Sequence, residues 1–162
     1  MTAEMRRGAC PSLSTPMQTG DGLLARLNPP DGALSAAQLD GLAAAAKACG
    51  NGMLEISARG GLQIRGLTGR SAEDLAEAVA ALSIAVRPGV DVRSGALAGL
   101  DAEEIGDPRP LASAIREASR AFSARLAPKA SVIVDGGGAL PLCGLIADVR
   151  LEALGRGEWL VR

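Results

Sequence analysis

A chain of 162 residues with one Phe, one Trp, no Tyr and no His has no aromatic platforms for stacking single-stranded nucleic acid. It also lacks the imidazoles that Ser-His, Cys-His and His-metal chemistries require. Its net charge of -1, from 17 basic and 18 acidic side chains of interspersed sign, supplies no basic field for a polyanion and excludes nucleic acid as a partner.

Apolar residues make up 48% of the chain, mostly Ala, Leu and Val, enough for an aliphatic core without disulfide or metal staples. No apolar run reaches membrane-spanning length, and no apolar core of a signal peptide follows Arg6 and Arg7. The expectation is a cytoplasmic protein with no membrane partner. Cys10, Cys49 and Cys143 are widely spaced and odd in number, which predicts buried free thiols and no metal site of their own.

Residues 1–20, with Pro11, Pro16 and no apolar period, read as an irregular N-terminal arm. Leu23, Ala25 and Leu27 then alternate as a strand that the turn around Asn28-Pro29-Pro30 stops. Ser35 and Gln38 have capping-box spacing, and Leu39, Leu42, Ala43 and Ala46 follow at helical intervals up to Gly50. Leu54 and Ile56, then Leu62 and Ile64, alternate on either side of Gly60-Gly61 as a β-hairpin. A second helix is predicted from Ser71, with Glu73 and Asp74 in its first turn and Leu75, Ala78, Val79 and Leu82 on one face. A last strand is expected over residues 84–87. This order is that of a ferredoxin-like α+β unit over 21–87.

The segment 88–162 reads as the beginning of a second, mixed domain. It opens with a Gly/Ala-rich loop through Gly99, followed by a helix capped by Asp107-Pro108 with Leu111, Ile115, Ala118 and Phe122 facing inward. A strand over 130–134 turns at Asp135-Gly136-Gly137-Gly138, and two further strands are expected at 145–151 and 159–161. The glycine run lacks the Gly-Lys-Ser/Thr of a phosphate loop and reads as a turn. Asp101, Glu103 and Glu104 read as solvated carboxylates near a helix start.

The polar pattern is sharpest in the hairpin. Strand alternation puts Leu54, Ile56, Leu62 and Ile64 on the helix-covered face, and Glu55, Ser57, Gln63 and Arg65 on the other, with Arg59 at its rim. A guanidinium there suits carboxylates or a small oxyanion, and the two glycines let a ligand approach the backbone. An ordinary solvated sheet face accounts for the same pattern.

The stretch Ile56-Ser57-Ala58-Arg59-Gly60-Gly61-Leu62-Gln63-Ile64-Arg65-Gly66 resembles the signature Thr-x-Arg-Gln/Gly-x-x-Gln-hydrophobic-x-Gly of the nitrite/sulfite reductase family. Arg59, Gln63 and Gly66 carry the match; the Thr and the second Gln of the reductase form are absent. Further stretches resemble the precorrin-3B synthase branch of that family: Arg7-Gly8-Ala9-Cys10-Pro11 with Thr19-Gly20-Asp21-Gly22-Leu23-Leu24, then Leu97-Ala98-Gly99-Leu100-Asp101, then Pro128-Lys129 with Val134-Asp135-Gly136-Gly137-Gly138. Where the reductases carry Arg-Asn-Val, this chain has Val90-Asp91-Val92, with Arg93 close by.

The resemblance implies a ferredoxin-like half-domain followed by the start of a mixed α/β nitrite/sulfite reductase-type domain. It implies an oxidoreductase role in aerobic cobalamin biosynthesis, the oxygen-dependent conversion of precorrin-3A to precorrin-3B. Arg59, Gln63, Arg65 and Lys129 are then the candidate residues for the carboxylates of a tetrapyrrole substrate, with no catalytic residue assigned. It also implies a [4Fe-4S] cluster with a second iron centre or sirohaem, and an electron donor. Four thiolates are needed for such a cluster, and three cysteines do not supply them, so a C-terminal-half partner subunit or a longer chain is expected to bring it. Two alternatives accompany this reading: a cluster-less tetrapyrrole-binding or inactive remnant domain, and a fragment of a sirohaem-type nitrite/sulfite reductase.

Overall fold

The turn Thr19-Gly20-Asp21-Gly22 joins two antiparallel strands, β1 (Met17–Thr19) and β2 (Gly22–Leu27), with Thr19 paired to Gly22. Strand β1 falls in the stretch expected to be an irregular arm. Its three residues are too few to show an apolar period, and pairing with β2 is what makes them a strand. The computed structural model describes residues 11–29, 33–57, 60–84, 90–122, 125–127 and 129–162. It divides into two compact units, Met1–Arg87 and Pro88–Arg162.

In the first unit, helix α1 (Ala36–Cys49) follows β2. Ser35 caps it: its hydroxyl accepts the Gln38 backbone N–H while the Gln38 side chain accepts the Ser35 N–H, so two otherwise orphaned donors are satisfied. Strands β3 (Leu54–Ile56) and β4 (Leu62–Leu67) form the hairpin, and helix α2 (Gly69–Ala81) follows. Helix α2 starts earlier than the sequence suggests. Thr68 and Ser71 make the capping box, so Glu73 and Asp74 lie beyond the first turn. Either hydroxyl suits an N-cap, and the tight exit from β4 selects Thr68.

The sheet order is β1-β2-β4-β3, all antiparallel. Ala25, Leu27, Leu62, Ile64 and Leu67 of the sheet pack with Leu42, Ala45 and Ala46 of α1 and Ala72, Leu75 and Val79 of α2. Both helices therefore cover the same face. Full burial of each large aliphatic among these stabilises by roughly 1.5–3 kcal/mol. Ile56 departs from expectation: it shares a face with Leu62 by register but is 75% exposed. It ends the edge strand, which has a neighbour on one side only. Leu39 is likewise exposed on α1. Residues 85–87 of the expected last strand lie outside the described residues; Ile84 is buried in the core.

One irregularity shapes this sheet. Leu23 pairs with Leu67, but Ala25 pairs with Ile64, so β4 carries one residue more than β2 between these pairs. The surplus falls at Arg65-Gly66, and Gly66 adopts φ +71°, the left-handed geometry typical of a glycine bulge. The end of α1 rests on it: Asn51 N–H donates to the Arg65 carbonyl at 3.0 Å. A Cβ on Gly66 would lie 2.8 Å from Asn51 Cβ. The bulge also explains why Leu67, three residues from Ile64 and so out of phase with it, reaches the same core.

The second unit has a sheet ordered β5-β6-β7-β8, from Asp91–Arg93, Ser131–Asp135, Val149–Gly155 and Glu158–Val161. The first three strands run parallel and the last antiparallel. Strand β5 lies in what reads as a loop, and β7 begins four residues later than expected, after a turn in which Leu145 N–H donates to the Leu142 carbonyl. Parallel pairing with β6 defines both, and pairing partners far along the chain leave no local pattern. Helix α3 (Arg109–Arg120) buries Ala112 and Ser119, with Leu111 and Ile115 against Val92, Val132 and Val134. Ala118 and Phe122, expected inward, are exposed. Two adjacent arcs of this Ala-rich helix are similarly apolar, and contact with β5 and β6 chooses between them.

Replacing Gly66 by Ala forces a side chain into left-handed backbone and against Asn51, so the expected loss is about 1–3 kcal/mol. A lowered urea midpoint at unchanged cooperativity is the expected readout; an unshifted midpoint rules out the bulge constraint.

Candidate functional site

Because both helices cover one face of the first sheet, the polar side chains of β2, β3 and β4 gather on the other. Register places Arg26 opposite Gln63, and Gln63 opposite Glu55. At the β3–β4 turn, Ser57 N–H donates to the Gly61 carbonyl at 2.8 Å, and Gly61 N–H donates to Ser57 Oγ at 3.0 Å. Gly61 is pressed close: a Cβ there would lie 2.7 Å from Asn28 Oδ1 and 3.6 Å from Arg26 Cδ. Arg59 lies outside the described residues, between Ser57 and Gly60.

Arg26 went unremarked in the sequence. Its Nε is buried with no hydrogen-bond partner among the described residues. A guanidinium N–H removed from water and left unmatched costs stability, so an acceptor brought to this guanidinium would be favoured. The sequence signal existed: Arg26 is the one charged residue in an otherwise apolar strand.

Arg65 is differently placed. The bulge aims it toward the β1–β2 turn, where Nε and Nη2 donate to the Asp21 carboxylate at 3.1 and 3.2 Å, and Nη1 lies 3.5 Å from Glu55. Thr19 Oγ1 donates to Asp21 at 2.8 Å, and Asn51 Nδ2 approaches it at 3.4 Å. Hydrogen bonds from Arg65, then Thr19, hold the Asp21 carboxyl down at about 2, from an ordinary 3.8. The same pairing raises Arg65. Gln63 and Arg65 thus share the open face, two residues apart on β4.

Lys129 belongs to the second unit, exposed in the turn before β6. Around the end of β6, Asp135 is 7% exposed and accepts the N–H groups of Gly137 at 3.1 Å and Leu142 at 2.7 Å. Asp101 accepts the Ala139 N–H at 2.7 Å and the Glu103 N–H at 2.9 Å, which depress its carboxyl. Glu104 accepts the Gly99 N–H at 2.7 Å. Glu103 is exposed as expected, and Asp101 and Glu104, at the surface too, are also bound to backbone. Asp101 ties the loops after β5 and β6 together, and Glu104 closes the first of them on itself, because backbone N–H groups in those glycine-rich loops have no ladder partner. Arg93 pairs with Asp91 on the same strand.

Cys49 and Cys143 are free thiols. Cys49 packs partly against the core and burial pushes its thiol up, whereas Cys143 is exposed, against expectation, in the loop after β6. Among the described residues no group of His, Cys, Asp and Glu is arranged to hold a metal ion, and the chain has three cysteines where a [4Fe-4S] cluster takes four. No helix among the described residues is long and apolar enough to cross a membrane.

Residues 15–82 match the family model of the nitrite/sulfite reductase ferredoxin-like half domain. This stretch of the chain is similar to that half domain. A precorrin-3B synthase from Sinorhizobium sp is 50% identical over 154 residues, which cover 94% of this chain and 34% of that protein. This chain thus spans about a third of the length of that relative. The solved structure of the Mycobacterium tuberculosis NirA protein aligns with TM-score 0.66 and 21% identity, over 80% of this chain and 25% of that one. The likeness carries the α+β, nitrite/sulfite reductase-type fold.

The Asp21 pairing carries a pH signature. A carboxyl depressed in the fold contributes stability that is fully present above its unfolded value of 3.8 and is lost as pH falls through about 2. Wild type is expected to melt higher than Asp21→Asn near neutral pH, with the gap closing through that acid window. A gap independent of pH from neutrality to about pH 2 contradicts the pairing.

Proposed function

We propose that this chain supplies tetrapyrrole-binding surface to a precorrin-3B synthase-type oxidoreductase of aerobic cobalamin biosynthesis. The observation that carries this reading is the 50% identity to a precorrin-3B synthase along nearly the whole chain. The polar face of the first sheet supports it, with Arg26, whose buried Nε is unmatched among the described residues, opposite Gln63. In this role the Arg26 guanidinium takes a carboxylate of the macrocycle, and Gln63 donates its side-chain amide to the same or a neighbouring oxygen. Arg59 is assigned to a further carboxylate. The work of these residues is orientation: a macrocycle held in one pose presents a fixed position to the oxidant.

An iron-sulfur cluster with a second iron centre or sirohaem, when bound, supplies electron transfer and oxygen chemistry. The cysteines of this chain do not provide its ligands, so a partner subunit or further chain holds it, and an electron donor reduces it. A second reading is a cluster-less tetrapyrrole-binding domain. Both share the binding surface and differ in whether co-expression with a cluster-bearing partner yields conversion of precorrin-3A to precorrin-3B.

Titration of the chain with an octacarboxylate porphyrin, followed by fluorescence, tests the shared element. Saturable binding is expected, and Arg26→Ala is expected to weaken it about tenfold or more, the cost of losing hydrogen bonds to a charged group. A chain that does not bind, or an Arg26→Ala variant of undiminished affinity, removes the basis for this site.

A further inference from the structure

We propose that Asp21 is a specificity-determining residue that divides the open sheet face into an anion-accepting end around Arg26 and an anion-rejecting end around Arg65. The inference rests on the tetrapyrrole-binding reading and specifies which ligand edge goes where.

The two arginines of this face stand in opposite electrostatic states. At the end near the β3–β4 turn, Arg26 has an Nε without a partner among the described residues, and its described neighbours Gln63, Asn28 and Ser57 are uncharged. At the end near the β1–β2 turn, Arg65 has committed its Nε and Nη2 edge to Asp21, and Glu55 lies beside Nη1. One cation faces two anions there, so the local sum is negative. An incoming carboxylate at Arg65 must displace an internal carboxylate already in place and also meets the charge of Glu55.

Asp21 is difficult to displace. It sits on a tight turn between paired strands, and Thr19 and Asn51 hold it as well as Arg65. It stays ionised at any physiological pH. Its role on this face is therefore a built-in competitor carboxylate. The ligand that fits presents a carboxylate toward the β3–β4 turn and an uncharged or hydrogen-bond-donating edge toward the β1–β2 turn. An asymmetric distribution of charged and neutral substituents around a macrocycle is the chemistry such a face selects.

The test is a fluorescence titration of the full chain with an octacarboxylate porphyrin, across wild type, Asp21→Asn, Glu55→Gln, Arg26→Ala, Arg65→Ala and the double variant Asp21→Asn/Arg65→Ala, with thermal melts to confirm folding. Asp21→Asn frees Arg65 and is expected to tighten binding about three- to fivefold, the scale of an exposed ion pair. Glu55→Gln is expected to act in the same direction by less, which keeps the test open if Asp21→Asn folds poorly. Adding Arg65→Ala to Asp21→Asn is expected to return affinity to the wild-type level. Unchanged or weaker binding by folded Asp21→Asn overturns the proposal, as does an Arg65→Ala variant that loses as much affinity as Arg26→Ala. Absence of wild-type binding overturns the tetrapyrrole reading itself. Binding that Arg26→Ala weakens and Asp21→Asn leaves alone overturns only the division of the face.

Discussion

The one-residue bulge at Arg65-Gly66 is the constraint on which the first unit turns. A regular β4 would keep strict alternation to its end. The surplus residue resets the register between Leu67 and Ile64, directs Arg65 to the β1–β2 turn, and leaves its carbonyl to accept the Asn51 N–H after α1. Sheet, helix end and hairpin turn meet at this point. Only glycine adopts the required φ without strain beside Asn51, so the Gly of the family signature has a mechanical meaning in this chain.

The bulge also sets the electrostatics of the open face. By aiming Arg65 at Asp21 it consumes the cation that strand alternation alone would present to a ligand, and it leaves Arg26 as the arginine with an unspent donor. Charge alone does not distinguish Arg26 from Arg65. Their difference comes from what stands within 3.5 Å of each, and that is decided by the β1–β2 turn, forty residues before Arg65 in round terms. Binding surfaces of this kind gain selectivity from internal competitors as much as from the groups that attract.

In the second unit, the segments 97–101 and 134–138 resemble one family for a shared physical reason. They are the loops leaving adjacent parallel strands, and Asp101, Glu104 and Asp135 secure them by accepting backbone N–H groups. Carboxylates that look like solvated surface in a linear reading become the partners of glycine-rich backbone. Left-handed Gly137 and Gly138 permit the turn, and the carboxylates fix it.

Local chemistry determined much of this protein. The capping box at Ser35, the alternation of β2 and β4, the α+β composition and the family signature are written within a few residues of one another, and each acts through contacts that close within a turn or a strand. Tertiary structure decided the rest. It chose Thr68 over Ser71 as the second cap, made strands of Met17–Thr19 and Asp91–Arg93, and exposed Ile56, Phe122 and Cys143. It also separated the roles of Arg26 and Arg65. These outcomes depend on partners distant along the chain, and a short strand, an Ala-rich helix face or an ion pair across a sheet has no energy to express until those partners arrive.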